Sequence, residues 1–504
     1  MLDQLHIPAP SPDDKSRCKT LQKELAGLQQ EVRRSGLPII VLFEGWSAAG
    51  KGRTIGKLIS ELDPRGYQVY STAAPEPSEV RRPFLWRFWR DLPPRGEIAV
   101  LDRSWYRRAA EETALSGERL TEINLFERQL CDDGYLILKF FLHIGREEQR
   151  RRLEKLAGKP ATAWRVDRAD WEQNRRYDTL APKIDTLLDA TSPIWAPWHI
   201  IWNEDKHSGA VQVLTIIRDA IRTALEKGTP RAGDVSSFPP PLLEMPRLSE
   251  IDLSPALDDA LYTAAMKKER KKLQQLHSRL YREKIPVIIA FEGWDSAGKG
   301  GAIRRLSRAL DPRGFDVIPI AAPSPEALAR HYLWRFWKEI PKDGHMAIFD
   351  RTWYGRVMVE RVEGLTPAER WRMAYREINE FERSLHDWGA VILKFWLQID
   401  PDTQLKRFTD RQNTPEKRYK ITEEDWRNRD KYSQYKEAVE DMFRLTSTTF
   451  APWTVLESDD KRHARVKALE IIVEALEARL HETRVSGTMG GANLSDRARQ
   501  KRLT

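Results

Sequence analysis

Short unbroken apolar runs punctuate the chain. PVIIAF (286–291), HMAIFD (345–350) and VILKFWLQI (391–399) are too short for typical helices and rich in β-branched and aromatic residues. A strand covered on both faces reads this way, because both of its side-chain rows meet apolar neighbours. Ahead of the first run, MKKERKKLQQLHSRLYREK (266–284) carries the amphipathic pattern of a helix, and a further helix is expected from about Gly300. Strand and helix patterns alternate, which predicts an α/β fold with a parallel sheet.

The pattern occurs twice. DPRG at Asp63 returns at Asp311, FLWRFW at Phe84 returns as YLWRFW at Tyr332, and LDRSWY at Leu101 returns as FDRTWY at Phe349, each 248 residues on. Later matches lie 255 residues apart: EINLFER at Glu122 with EINEFER at Glu377, and APW at Ala196 with APW at Ala451. One half therefore differs by about seven residues between Arg356 and Glu377. Between the halves, GTPRAGDVSSFPPPLLEMP lacks a helical period, and Pro239, Pro240 and Pro241 exclude a helix interior or a central strand. The expected organisation is a domain over 1–228, a linker over 229–255, a second domain over 256–485, and a disordered, Gly-rich and basic tail over 486–504.

At 504 residues the chain suits two or three domains. It has no apolar run of transmembrane length and no apolar leader near its start, and Cys18 and Cys131 supply neither a disulfide framework nor a zinc cluster. A cytoplasmic protein is expected. The net charge of +9 favours an anionic partner without choosing among nucleotides, polyphosphates and nucleic acid.

The chemistry begins at FEGWSAAGKGR (43–53) and FEGWDSAGKGG (291–301). A G-x-x-x-x-G-K loop between a buried strand and a helix is a phosphate cradle: its glycines let N–H groups converge, the helix dipole favours an anion, and the lysine adds a mobile charge. Gly293, Gly298, Gly300, Gly301 and Lys299 are the candidates in the second half. The hydroxyl residue that usually follows the lysine and meets Mg²⁺ is absent, since Gly300 and Gly52 stand there. Mg²⁺ needs hard oxygen ligands, and Asp295 in the loop with Asp350 at a strand end could supply them. The first half keeps Asp102 but has Ser47 in place of the loop aspartate. Trp334, Trp337 and Trp353 read as packing rather than base-stacking residues, and His331 and His345 as ordinary loop or helix residues.

GWDSAGKGG, FDRTWYGR, the following VER and a basic helical segment together resemble the second family of polyphosphate kinases, over nearly the whole of each half. The duplication resembles that family's two-domain, AMP-phosphorylating members. The resemblance implies tandem kinase-like α/β/α domains with helical lids, similar to thymidylate kinase. It also implies transfer of a terminal phosphoryl group from inorganic polyphosphate to AMP, dependence on Mg²⁺ (or Mn²⁺), and association into a homo-oligomer, with neither a membrane nor a specific nucleic acid as partner. The segment QLKRFTDRQNTPEKRYKITEEDW (404–426) then reads as a lid hinged at N-T-P, offering Arg407, Arg411, Lys417, Arg418 and Lys420. Asp295 and Asp350 are expected to carry metal, and Arg351, Arg356 and Arg361 to bind nucleotide or polyphosphate oxygens. Arg411 and Arg418 are expected to neutralise developing charge, Arg407 and Lys417 to bind substrate, and Glu360 to orient the acceptor. In the first half Arg152 matches Arg407, but Leu156, Thr162 and Ala163 replace Arg411, Lys417 and Arg418. Nearer the second carboxylate, Glu112 survives while Thr113 replaces Arg361. Such a half keeps its fold and loses its chemistry. Rival readings are a polyphosphate-dependent nucleoside-diphosphate kinase, an ATP-using nucleotide kinase, and a non-catalytic polyanion binder.

Overall fold

The computed structural model describes residues 2, 9–107, 116–231 and 240–500, with the side chains of 417, 420 and 483–500 outside that set. The chain forms two compact units: Met1–Pro75 with Arg87–Ser236 and Pro323–Trp334, and Glu76–Trp86 with Ser237–Ala322 and Arg335–Thr504. Glu112 and Thr113 lie outside the described residues.

The first unit holds a five-stranded parallel sheet of β1 (Ile39–Gly45), β2 (Tyr67–Ser71), β3 (Ile98–Asp102), β4 (Leu136–His143) and β5 (Trp198–Trp202), in the order β2-β3-β1-β4-β5. The second unit repeats it with β6 (Val287–Gly293), β7 (Phe315–Pro319), β8 (Met346–Asp350), β9 (Val391–Gln398) and β10 (Trp453–Glu457), in the order β7-β8-β6-β9-β10. The three apolar runs are thus central strands, and Val287 through Phe291 are buried on both faces. The amphipathic segment lies in the helix Asp259–Glu283. The lid segment is a helix Pro401–Asn413, a 3-10 stretch Pro415–Lys420 and a helix Glu423–Asp430, broken at the predicted N-T-P. The last helix runs Lys461–Gln500, across residues expected to form a tail.

This strand order positions the site. The chain leaves the central strand β6 for the edge strand β7, returns to β8 beside β6, then crosses to β9 on the other side. Successive connections diverge at β6, which opens a crevice beyond the carboxyl ends of the strands. The register sets Phe291, just before the loop, against Asp350.

Each unit is pinned beneath that crevice by the same buried polar cluster. Lys394 Nζ donates to Glu382 Oε2 (2.8 Å), Tyr354 OH (2.7 Å) and Thr446 O (2.7 Å); Trp353 Nε1 and Tyr354 OH both donate to Glu382 Oε1. Lys139, Glu127, Tyr106, Thr191 and Trp105 repeat it in the first unit. Both side chains of each ion pair are fully buried. A buried charge left alone is far costlier than a pair whose remaining valences are hydrogen-bonded. Trp353 and Tyr354 follow Asp350 by three and four residues, so the cluster fixes the chain beyond that carboxylate. Trp334, Trp337 and Trp353 are all buried, as packing residues should be.

Among the described residues no helix is long and apolar enough to cross a membrane. Cys18 and Cys131 are free and buried.

Candidate functional site

The loop after β6 is shaped by two glycines that no other residue could replace without strain. A Cβ on Gly293 would sit 2.7 Å from Leu397 O, and Gly298 has φ +117° where it caps the helix Lys299–Ser307. Arg407, expected to contact substrate, instead lies behind the loop. It is 8% exposed, and its guanidinium donates to the carbonyls of Ser296, Ala297, Ser458 and Asp459. Arg152 does the same for Ala48, Ala49, Asn203 and Glu204. The Arg407 bonds tie the loop's carbonyls to the turn that follows β10.

The loop opens into a cavity of about 650 Å³. Asp295, Gly298, Lys299, Gly300, Gly301, Asp350, Arg351 and Arg411 all line it, which brings eight of the expected site residues together. A smaller cavity of about 70 Å³ adjoins the loop and shares Asp295, Lys299 and Arg351, with Gly293 in its wall. Lys299 Nζ donates to the loop carbonyls of Gly293 (2.6 Å) and Trp294 (3.2 Å). Asp295 accepts from Arg351 Nη2 at 3.2 Å and from Asn428 Nδ2 at 3.0 Å. The Asp350 carboxylate has no hydrogen-bond or ion-pair partner among the described residues. Arg351 has left-handed backbone (φ +65°), as Arg103 does in the first unit (φ +63°). Glu292, beneath the loop, is buried and accepts from Thr352 Oγ1 at 2.7 Å; burial pushes its carboxyl up, and the Thr352 hydroxyl partly offsets this.

Other expected residues lie elsewhere. Arg361 donates to Tyr375 OH, Asp441 Oδ2 and Glu437 Oε1, and covers the ring of Trp371. It clamps helices together and lines neither cavity. Arg356 pairs with Glu360, and both bond Thr366. Arg418 is exposed on the lid and donates to Gln412 O. The Lys417 side chain lies outside the described set.

Among the lining residues not expected from the sequence are Arg304, Arg305, Arg465 and Asn428, together with the acidic Glu424 and Asp425. Arg465 lies against Gly301, and burial and the neighbouring Arg305 both hold its guanidinium below its usual value. Arg304, Arg305, Arg351, Arg411 and Arg465 thus share the cavity wall with Asp295, Asp350, Glu424 and Asp425. The signal was available in the repeat, since the first-half counterparts of Arg304, Arg305, Arg465 and Asn428 are Gly56, Lys57, Ala210 and Gln173.

The first-unit loop has the same backbone and different wiring. Lys51 donates to Gly45 O and Trp46 O, and burial and Arg103 both hold its ammonium below its usual value. The Ser47 N–H donates to Gln173 Oε1 at 2.7 Å, and Gln149 Nε2 donates to the same oxygen at 2.9 Å.

Comparison with known proteins gives a consistent result. The pattern of the family described as Polyphosphate kinase 2 matches residues 10–229 and again residues 256–484. A Polyphosphate:AMP phosphotransferase of Pseudomonas aeruginosa is 42% identical over 471 residues, spanning 91% of this chain and 94% of that protein. One from Acinetobacter johnsonii is 36% identical, spanning 87% and 91%. A crystal structure described as a polyphosphate kinase 2 from Pseudomonas aeruginosa PA01 is 38% identical and aligns with a TM-score of 0.83, covering 95% of this chain and 99% of that one.

Proposed function

The chain belongs to the polyphosphate kinase 2 family, and from that membership we propose that it transfers a terminal phosphoryl group from inorganic polyphosphate to AMP, giving ADP. The observation that carries this reading is that relatives named for the activity match nearly end to end. The cavity supports it, since the glycine-rich loop, Asp295, Asp350 and several arginines meet there. The reaction is assigned to the second unit.

The donor set fits Mg²⁺: Asp295 and Asp350 present hard oxygens at one cavity, and two carboxylates with phosphate oxygens and water are what this ion takes. When bound, the ion would neutralise phosphate charge and align the two substrates. The chain's own groups supply the rest. The loop amides and Lys299 hold the terminal phosphates of the donor. Arg351 and Arg411 face the transferring group, where charge spreads over its equatorial oxygens. An oxygen of the AMP phosphate attacks the terminal phosphorus, the bridging P–O bond breaks, and its electron pair leaves on the shortened polyphosphate. Arg356 and Glu360 are assigned to the acceptor side. Arg418 and Lys417 are assigned to the lid, acting when it closes over the phosphates.

Incubation with polyphosphate, Mg²⁺ and either AMP, ADP or GDP, with nucleotides separated by chromatography, tests the reading. ADP from AMP is the expected product. Turnover of ADP or GDP with AMP left untouched would transfer the chain to the nucleoside-diphosphate kinases, and a requirement for ATP as donor would exclude polyphosphate.

A further inference from the structure

Within the second-unit loop, Ser296 has left-handed backbone (φ +64°) and is 7% exposed. Its Oγ is buried with no hydrogen-bond partner among the described residues, yet Ser296 lines the 650 Å³ cavity. A buried hydroxyl without a partner costs stability, so its presence calls for an explanation. The fold does not require it, because the first-unit loop takes the same turn with Ala48 (φ +58°). The peptide N–H of the preceding residue, Asp295, also finds no partner among the described residues.

The first unit answers both vacancies from within. There the hydroxyl is missing, and the corresponding N–H, on Ser47, is taken by Gln173 Oε1. Asn428 occupies the Gln173 position in the second unit. One methylene shorter, it turns its amide to the Asp295 carboxylate instead, at 3.0 Å. The loop N–H is left open.

We propose that the Asp295 N–H and the Ser296 hydroxyl form a two-donor seat for a phosphate oxygen of the polyphosphate chain, and that Asn428 keeps this seat open. A peptide N–H cannot ligate a cation, so the pair suits an anionic oxygen and not the metal. Adjacent donors on a turn with one left-handed residue also converge as an anion-binding nest does. This assignment rests on the proposed polyphosphate reaction.

Ser296→Ala in the full-length protein is the test, with Asn428→Gln to copy the first-unit wiring. For Ser296→Ala the melting temperature without ligand should stay level or rise, since an unpaired hydroxyl is removed. The rise in melting temperature caused by tripolyphosphate should shrink, and kcat/KM for polyphosphate should fall roughly ten- to hundred-fold, as for a lost hydrogen bond to a charged group. KM for AMP should hold. Asn428→Gln should give the same direction of change. Kinetics within two-fold or so of the unaltered protein, with an undiminished tripolyphosphate shift, would overturn the proposal. So would a lower melting temperature without ligand, because it would mean that the hydroxyl already has a partner. If the unaltered protein makes no ADP from AMP, the function reading fails instead, and the tripolyphosphate shift still reports on the seat.

Discussion

Asp350→Asn leaves a folded protein whose transfer to AMP drops by roughly 10²–10³-fold or more, the range seen when a preorganised charge-stabilising group is removed. The substitution changes charge and almost no volume. Asp350 ends β8 in register with Phe291, and the chain beyond it is held by the buried Lys394–Glu382 cluster, so the backbone has no reason to move. Its carboxylate makes no hydrogen bond or ion pair among the described residues, so no structural contact is lost. What disappears is the negative charge of a carboxylate proposed to hold Mg²⁺ at the cavity. Turnover measured beside a melting curve decides the matter. Near-normal turnover in a protein that melts normally would take Asp350 out of the mechanism.

Lys299→Ala comes close to inactivating the protein, while Lys51→Ala does little. Both lysines sit at the same place in the same loop and donate to the same two carbonyls. Their neighbours differ. Lys299 shares a cavity with Asp295, Asp350, Arg351 and Arg411. Lys51 belongs to a loop with Ser47 for the aspartate, with one amide already satisfied by Gln173, and with Leu156 in place of the lid arginine. Removing a phosphate-binding charge matters only where phosphate arrives. The two variants, prepared together and compared for turnover and melting temperature, test this division. Comparable losses of turnover with folding intact would mean that the first unit also works.

The fold was legible because its signals are local. Three apolar runs mark strands, one amphipathic stretch marks a helix, and N-T-P marks the end of the helix Pro401–Asn413; each depends only on neighbours in sequence. That the loop, Asp295 and Asp350 meet at one cavity was legible for a related reason, since the loop follows one strand and Asp350 ends its neighbour. The arginines were harder. Arg407 and Arg411 lie one helical turn apart, and the sequence does not say that one turns to the loop's carbonyls while the other meets the cavity. Arg361 closes VER, where a substrate-binding arginine was expected, but its partners Glu437 and Asp441 come from a helix 76 and 80 residues on. Asn428 and Arg465 arrive at the loop from elements more distant still in sequence. Only the duplication could have flagged them, by showing where the two halves disagree.

The left-handed turns at Arg103 and Arg351 separate what the fold requires from what the reaction requires. A non-glycine residue held there carries a conformational penalty of roughly 1–3 kcal/mol. At a single site, beside a carboxylate proposed to bind metal, such a penalty invites interpretation as energy stored for turnover. Here it is present in both units with nearly equal φ, and each arginine N–H donates back to the end of the central strand, to Phe43 O and Phe291 O. The unit assigned no reaction bears the same distortion as the unit to which the reaction is assigned. The distortion therefore goes with how the chain leaves the sheet at that strand in both units, and it does not mark out the unit proposed to react.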